Sequence, residues 1–171
     1  MPSVRRSTRK ASLPSHIDAS RLNFGRLDFG QATAWFADLS ERRRALRRVA
    51  LEVMEVLEEY EPYLYGSVLR GTIHPGSDVD LAAFADPPGR VVATLRDAGY
   101  EVELKLERSK RRGVARWFPH CHILVDGAPV EVNVYPDTPA ARSLVSSRTG
   151  NAIRRASLAT VRRLVEVDEA H

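Results

Sequence analysis

The stretch "YGSVLRGTIHPGSDVDLAAF", Tyr65 to Phe84, decides the fold. A Gly66-Ser67 pair precedes an Asp78-x-Asp80 pair, which runs directly into an apolar segment. Side chains at i and i+2 of a strand share a face, so Asp78 and Asp80 are expected side by side while Val79 and Leu81 point into a core. Like charges held that close repel unless a cation sits between them. A metal-binding strand is therefore the first expectation.

Working outward, "SERRRALRRVALEVMEVLEEYEP" places Leu46, Val49, Ala50, Val53, Leu57 and Tyr60 at helical spacing. Ser40 is a suitable cap and Pro62 a stop, which predicts an amphipathic helix. Its arginines, Arg42 to Arg44 with Arg47 and Arg48, read as a solvated face paired to Glu52 and Glu55 rather than as a nucleic-acid surface. "PYLYGS" reads as a short strand and "DVDLAAFA" as a second. Asp86 before Pro87-Pro88 reads as a cap, and "GRVVATLRDAG" as a helix that stops at Gly99. "EVELKLER", "HCHILVDG" and "PVEVNVYP" follow as β-rich segments, with Asp126-Gly127 as the turn between the last two. Pro139 opens another helix and "NAIRRASLATVRRLVEV" supplies the last. This order predicts an α+β (mixed α/β) fold, a mixed sheet of about five strands packed against helices.

Composition sets wider limits. The chain of 171 residues has 43% hydrophobic and 28% charged residues and a formal charge of +4, as expected of a globular protein that leans toward anionic partners. Cys121 is the single cysteine, so no internal disulfide forms and a reducing, cytoplasmic location is expected. No apolar run has the length of a membrane span, so no membrane partner is expected. Residues 1–16, "MPSVRRSTRKASLPSH", are basic and lack an apolar stretch, which reads as a disordered tail ahead of a domain over 17–171.

The third carboxylate is expected on the last strand. Val130, Val132 and Val134 alternate with Glu131, Asn133 and Tyr135, so valines in the core turn Glu131 to the polar face. Asp126 at the turn, and Glu101 or Glu103 on an earlier strand, compete for the role. Gly66 lets a phosphate approach the backbone, Ser67 offers an amide and a hydroxyl, and Arg70 with the Arg-rich loop "ERSKRRGVARW" can add positive charge. His120 and His122 share a face and could ligate a transition metal. With no Cys or carboxylate at ligand spacing they read as ordinary packing or surface histidines. His74 lies in the loop between the halves of the motif, and Trp35 and Trp117 read as core or loop anchors.

"LYGSVLRGTIHPGSDVDLAAF" resembles the signature of the DNA polymerase β-type nucleotidyltransferase superfamily, in which a Gly-Ser pair precedes a metal-binding Asp-x-Asp. The spacing is also similar to that of the minimal nucleotidyltransferases, including MntA-like antitoxins that adenylylate a partner toxin. The resemblance implies that Gly66 and Ser67 hold a triphosphate and that Asp78 and Asp80 bind the metals. Glu131 joins them on strand alternation alone. It implies two Mg²⁺ ions, with Mn²⁺ as the substitute, and an NTP substrate, ATP in first place. The implied reaction moves an NMP to a hydroxyl of a protein, an RNA or a small molecule such as an antibiotic. The rival expectation is a non-catalytic module that keeps the fold to bind nucleotide, RNA or a partner protein.

Overall fold

The computed structural model describes residues 29–111, 114–146 and 149–170, with side chains over 37–108, 117–146 and 149–170. The basic tail, residues 1–16, and the side chain of Trp35 lie outside that range. In chain order the elements are α1 (Phe29–Val56), a 3₁₀ turn (Glu58–Tyr60), β1 (Tyr63–Tyr65), α2 (Gly66–Arg70) and β2 (Val79–Phe84). There follow α3 (Gly89–Asp97), β3 (Glu103–Arg111), β4 (Val114–Val125), β5 (Ala128–Tyr135), α4 (Pro139–Arg142), β6 (Ala156–Ser157) and α5 (Leu158–Glu169). The strands form one mixed sheet in the order β3-β4-β5-β2-β1-β6. β2 and β5 pair in parallel, while the β1–β2, β1–β6, β3–β4 and β4–β5 ladders are antiparallel.

Period-two alternation divides the sheet into two faces. Leu64, Val79, Leu81, Cys121, Ile123, Val130, Val132 and Val134 bury one face against Leu46, Val53 and Met54 of α1, Leu57 just beyond it, Val91 and Leu95 of α3, and Val161 of α5. The other face carries Tyr65, Asp80, His120, Glu131 and Asn133. At its lower end a smaller cluster of Ala82, Phe84 and Leu144 packs with Tyr63, Tyr135 and Ile153. Asp126 and Gly127 both take left-handed φ, 50° and 78°, as an Asp-Gly hairpin turn requires.

Several expectations are corrected. The expected mixed sheet packed on helices is itself present, with six strands among the described residues where about five were expected, the pair Ala156–Ser157 adding an edge to β1. Ser40 lies inside α1, not at its start, since the preceding residues continue the helix to Phe29. Asp86 caps nothing. Pro88 is the N-cap residue of α3 and no side chain accepts a hydrogen bond there. The last helix begins at Leu158, capped by Ser157, whose Oγ accepts from Thr160 N. The Arg-rich stretch expected as a loop continues the β3–β4 hairpin, with Ser109 opposite Arg116 and Lys110 opposite Ala115. Charged residues at successive positions of that sequence hide the apolar period that marks a strand, while backbone pairing joins the two segments. Trp117 is exposed on β4, so it anchors no core. No helix among the described residues is long and apolar enough to cross a membrane.

The arginine face of α1 is also not simply solvated. Arg47 Nη1 donates to both carboxylate oxygens of Asp168 on α5, at 3.2 and 2.9 Å, and each side chain is only 10% exposed. The same guanidinium donates to the carbonyls of Val68 and Leu69 at the end of α2, at 3.3 and 3.4 Å. One side chain thus joins α1, α5 and the helix that carries Gly66-Ser67. Glu52 and Glu55, expected as partners of these arginines, accept from Tyr100 Oη at 2.7 Å and Arg162 at 2.9 Å instead. Removing one member of a buried ion pair leaves the other charged and unpaired. Asp168→Ala is therefore expected to cost about 3–5 kcal/mol in urea denaturation, whereas the exposed Glu55→Ala should cost about 1 kcal/mol or less. Equal effects would mean that the Arg47 pair is not structural.

Candidate active site

The sheet register assembles the polar row. Tyr65 of β1 lies opposite Asp80 of β2, Asp80 opposite Glu131 of β5, Glu131 opposite His122 of β4, and His122 opposite Glu103 of β3. Opposed residues in adjacent strands project to the same face, so these side chains line one track across the sheet. Asp78 immediately precedes β2. It lines, with Glu131, His122, Glu101, Glu103 and Lys105, a cavity of about 710 Å³ over the β3–β4–β5 end of that track.

Asp78, Asp80 and Glu131 are brought together. The competing carboxylates fall elsewhere: Asp126 is exposed in the β4–β5 turn, and Glu103, though it lines the same cavity, stands three strands from Asp80 with His122 and Glu131 on the two strands between. Glu101, ahead of β3, also lines the cavity. Burial, then the charges of Asp78 and Glu131, push the Asp80 carboxyl up to about 7, against a smaller opposing pull from Arg70. Such mutual repulsion is what a hard divalent cation removes, and an all-oxygen donor set on one face suits that ion. The residues present therefore fit the metal that the motif implies.

Gly66 opens α2 directly behind Asp80. Its φ is +76°, and a Cβ there would lie 2.0 Å from Asp80 Oδ2. The left-handed backbone and the missing side chain are thus both required for Asp80 to keep its place. Ser67 follows on the first turn of α2, and Arg70 ends it, exposed and near enough to act on Asp80. His74 is tied into its own loop, its Nδ1 accepting from Gly76 N at 3.2 Å.

Three residues beside the carboxylates were not singled out for this role in the sequence. Asn133 Nδ2 donates to Glu131 Oε1 at 2.9 Å and to Tyr65 Oη at 2.6 Å. His120 Nδ1 lies 2.8 Å from the same Glu131 oxygen. Burial and the surrounding acidic groups raise the Tyr65 phenol well above its ordinary range, so it stays protonated. Asn133 alternates with Glu131 and His120 with His122, a signal visible in sequence, but only the strand register shows that they meet.

Residues 46–153 match the profile of the nucleotidyltransferase domain family. The chain belongs to that family. The matched range contains Gly66, Ser67, Arg70, Asp78, Asp80 and Glu131 and ends before α5. No curated protein matches the chain. Among solved structures, Cid1 in complex with the UTP analog UMPNPP is 18% identical, over 58% of this chain and 32% of that one, with a TM-score of 0.41. Cid1 poly(U) polymerase with MgGTP bound is 18% identical over 58% and 34%, TM-score 0.40. A cytoplasmic RNA terminal U-transferase is 19% identical over 61% and 31%, TM-score 0.37. This chain spans about a third of the length of these structures.

Two outcomes follow from this geometry. Gly66→Ala should keep the fold by circular dichroism yet lose most metal-dependent nucleotide binding in calorimetry, because the new methyl must displace Asp80. Unchanged binding would show that Asp80 can move without consequence. The second concerns pH. The unfolded chain releases the Asp80 proton near the usual carboxyl value of about 4, whereas the folded chain holds it to about 7. Between those values the folded state binds more protons, so stability falls as pH rises. The metal-free protein should thus lose Tm on going from about pH 5 to about pH 8, and Asp80→Asn should lose less. An equal loss in both would mean that the carboxylates do not strain the fold.

Proposed function

We propose that this chain is a divalent-metal-dependent nucleotidyltransferase that moves a nucleoside monophosphate from an NTP to an acceptor hydroxyl and releases pyrophosphate. The observation that carries the reading is the Asp78, Asp80 and Glu131 row, where burial and then the neighbouring carboxylates raise the Asp80 pKa, inside a region that matches the nucleotidyltransferase domain. Asp78, Asp80 and Glu131 would hold Mg²⁺, as two ions, with Mn²⁺ as the substitute. When bound there, Mg²⁺ supplies charge against the triphosphate and acidifies the acceptor hydroxyl.

The chain's own groups do the rest. The amides and hydroxyl of Gly66 and Ser67 hold the triphosphate where no side chain blocks its approach, and Arg70 offsets part of its charge. Asn133 and His120 hold Glu131 in one orientation, so the acceptor side of the site is set before substrate arrives. The acceptor oxygen forms its bond to the α-phosphorus as the bond to the bridging oxygen breaks. Pyrophosphate leaves with that electron pair, and the hydroxyl proton passes to a carboxylate oxygen of the row or to water. ATP is the first nucleotide to test, and the acceptor belongs to the protein, RNA or small-molecule class. A buried single thiol, its pKa pushed up to about 11 by burial, suits a reducing, cytoplasmic setting.

The test is nucleotide transfer measured by mass spectrometry with each NTP, Mg²⁺ and acceptors of the three classes, beside calorimetric NTP affinity. Asp78→Asn and Asp80→Asn should lose both binding and turnover. Glu131→Gln should bind NTP within a few-fold of wild type but turn over roughly a hundredfold or more slower, because its contribution lies in the transition state. Intact NTP binding with no transfer to any acceptor in the wild-type protein would support a binding module instead.

A further inference from the structure

His120 and His122 face the same side of β4, with ring centroids 6.5 Å apart and planes 18° from parallel. Glu107 of β3 reaches over that side, its Oε2 3.9 Å from His120 Nδ1. One ligand atom from each of Glu107, His120 and His122 lies within 4.8 Å of the others. Small side-chain rotations bring such a set to the nitrogen and oxygen distances of about 2.0–2.2 Å found around zinc. No Cys or carboxylate stands at ligand spacing from the two histidines along the chain itself. The β3–β4 pairing supplies that carboxylate from the neighbouring strand.

A second observation points the same way. His122 Nε2 is buried and has no hydrogen-bond partner. A buried polar atom left so is costly, and a metal ion gives this nitrogen a partner. His120 Nδ1 lies 2.8 Å from Glu131 Oε1, the carboxylate contact that orients a metal-binding imidazole; an Nδ1–H donated there would leave the Nε2 lone pair for an ion.

We propose that Glu107, His120 and His122 form a transition-metal site of the Zn²⁺ type beside the carboxylate row, with its fourth position open to water. Two imidazoles and one carboxylate suit Zn²⁺, Co²⁺ or Ni²⁺, whereas Mg²⁺ takes oxygen ligands and stays with Asp78 and Asp80. The site does not depend on nucleotidyl transfer. It touches the proposed active site through one shared group, because the carboxylate that orients His120 is Glu131.

The test is chelator-stripped full-length protein titrated with Zn²⁺ by calorimetry and with Co²⁺ by visible absorption, near neutral pH and with Mg²⁺ in excess. One equivalent of Zn²⁺ should bind, and Co²⁺ should give the intense visible bands of a tetrahedral site. Glu107→Gln and His122→Ala should each weaken Zn²⁺ binding at least tenfold, the smallest loss seen even when an outer partner is removed. Asp80→Asn should leave it within a few-fold. Glu107 is exposed, so its variant remains informative should His122→Ala fail to fold by circular dichroism. Absence of saturable Zn²⁺ binding would overturn the proposal. So would binding that survives Glu107→Gln, whether because it is lost with Asp80→Asn or because it rests on other histidines.

Discussion

The parallel pairing of β2 with β5 sets Asp80 directly opposite Glu131, and the rest of the site is arranged around that confrontation. In a parallel ladder two acidic side chains in register share one face, and here the face is partly covered, so neither charge is fully screened by water. The cost appears as the raised pKa of Asp80. The neighbouring side chains then take complementary parts. Asn133 and His120 place polar hydrogen-bonding groups against one oxygen of Glu131, Tyr65 closes the far side as a protonated phenol, and Arg70 draws part of the field of Asp80.

Holding like charges together requires a rigid frame behind them. Val79, Leu81, Val130 and Val132 flank the acidic residues in sequence and bury the opposite face of the same two strands. The strain on one face is thus opposed by packing on the other, and a register slip would exchange the two faces at once. Behind the Gly66-Ser67 turn, Arg47 links α1 and α5 to the last carbonyls of α2. Gly66, at the start of that short helix, is fitted against Asp80 with no room for a methyl group. The Gly66-Ser67 turn and the acidic strand are therefore one mechanical unit.

The likeness to the nucleotidyltransferase domain covers the unit that carries this chemistry, residues 46–153. α5 lies outside the match yet supplies Asp168 to the buried ion pair. The stability of the matched region therefore draws on a residue beyond it. The polar face of the β3–β4 hairpin brings Glu107, His120 and His122 together beside the same track. One sheet thus carries a cluster of carboxylates at its centre and a pair of imidazoles toward its edge.

What the sequence by itself determined was local. The alternation of "DVDLAAF" and "PVEVNVY" put Asp80 and Glu131 on polar faces, the Gly66-Ser67 pair marked the turn into α2, Asp126-Gly127 marked a hairpin, and the apolar spacing of Leu46 to Leu57 marked a helix. Each follows from the geometry of a single strand, turn or helix, which a few adjacent residues encode. Only the tertiary structure decided which strands are neighbours and in which register. That choice made Glu131 rather than Glu103 the partner of Asp80, turned a charged loop into a hairpin, left Trp117 exposed and buried Arg47 from an arginine-rich face. It also brought Glu107 to two histidines that looked ordinary alone. Such pairings depend on the summed burial of residues far apart in the chain, and no local pattern records that sum.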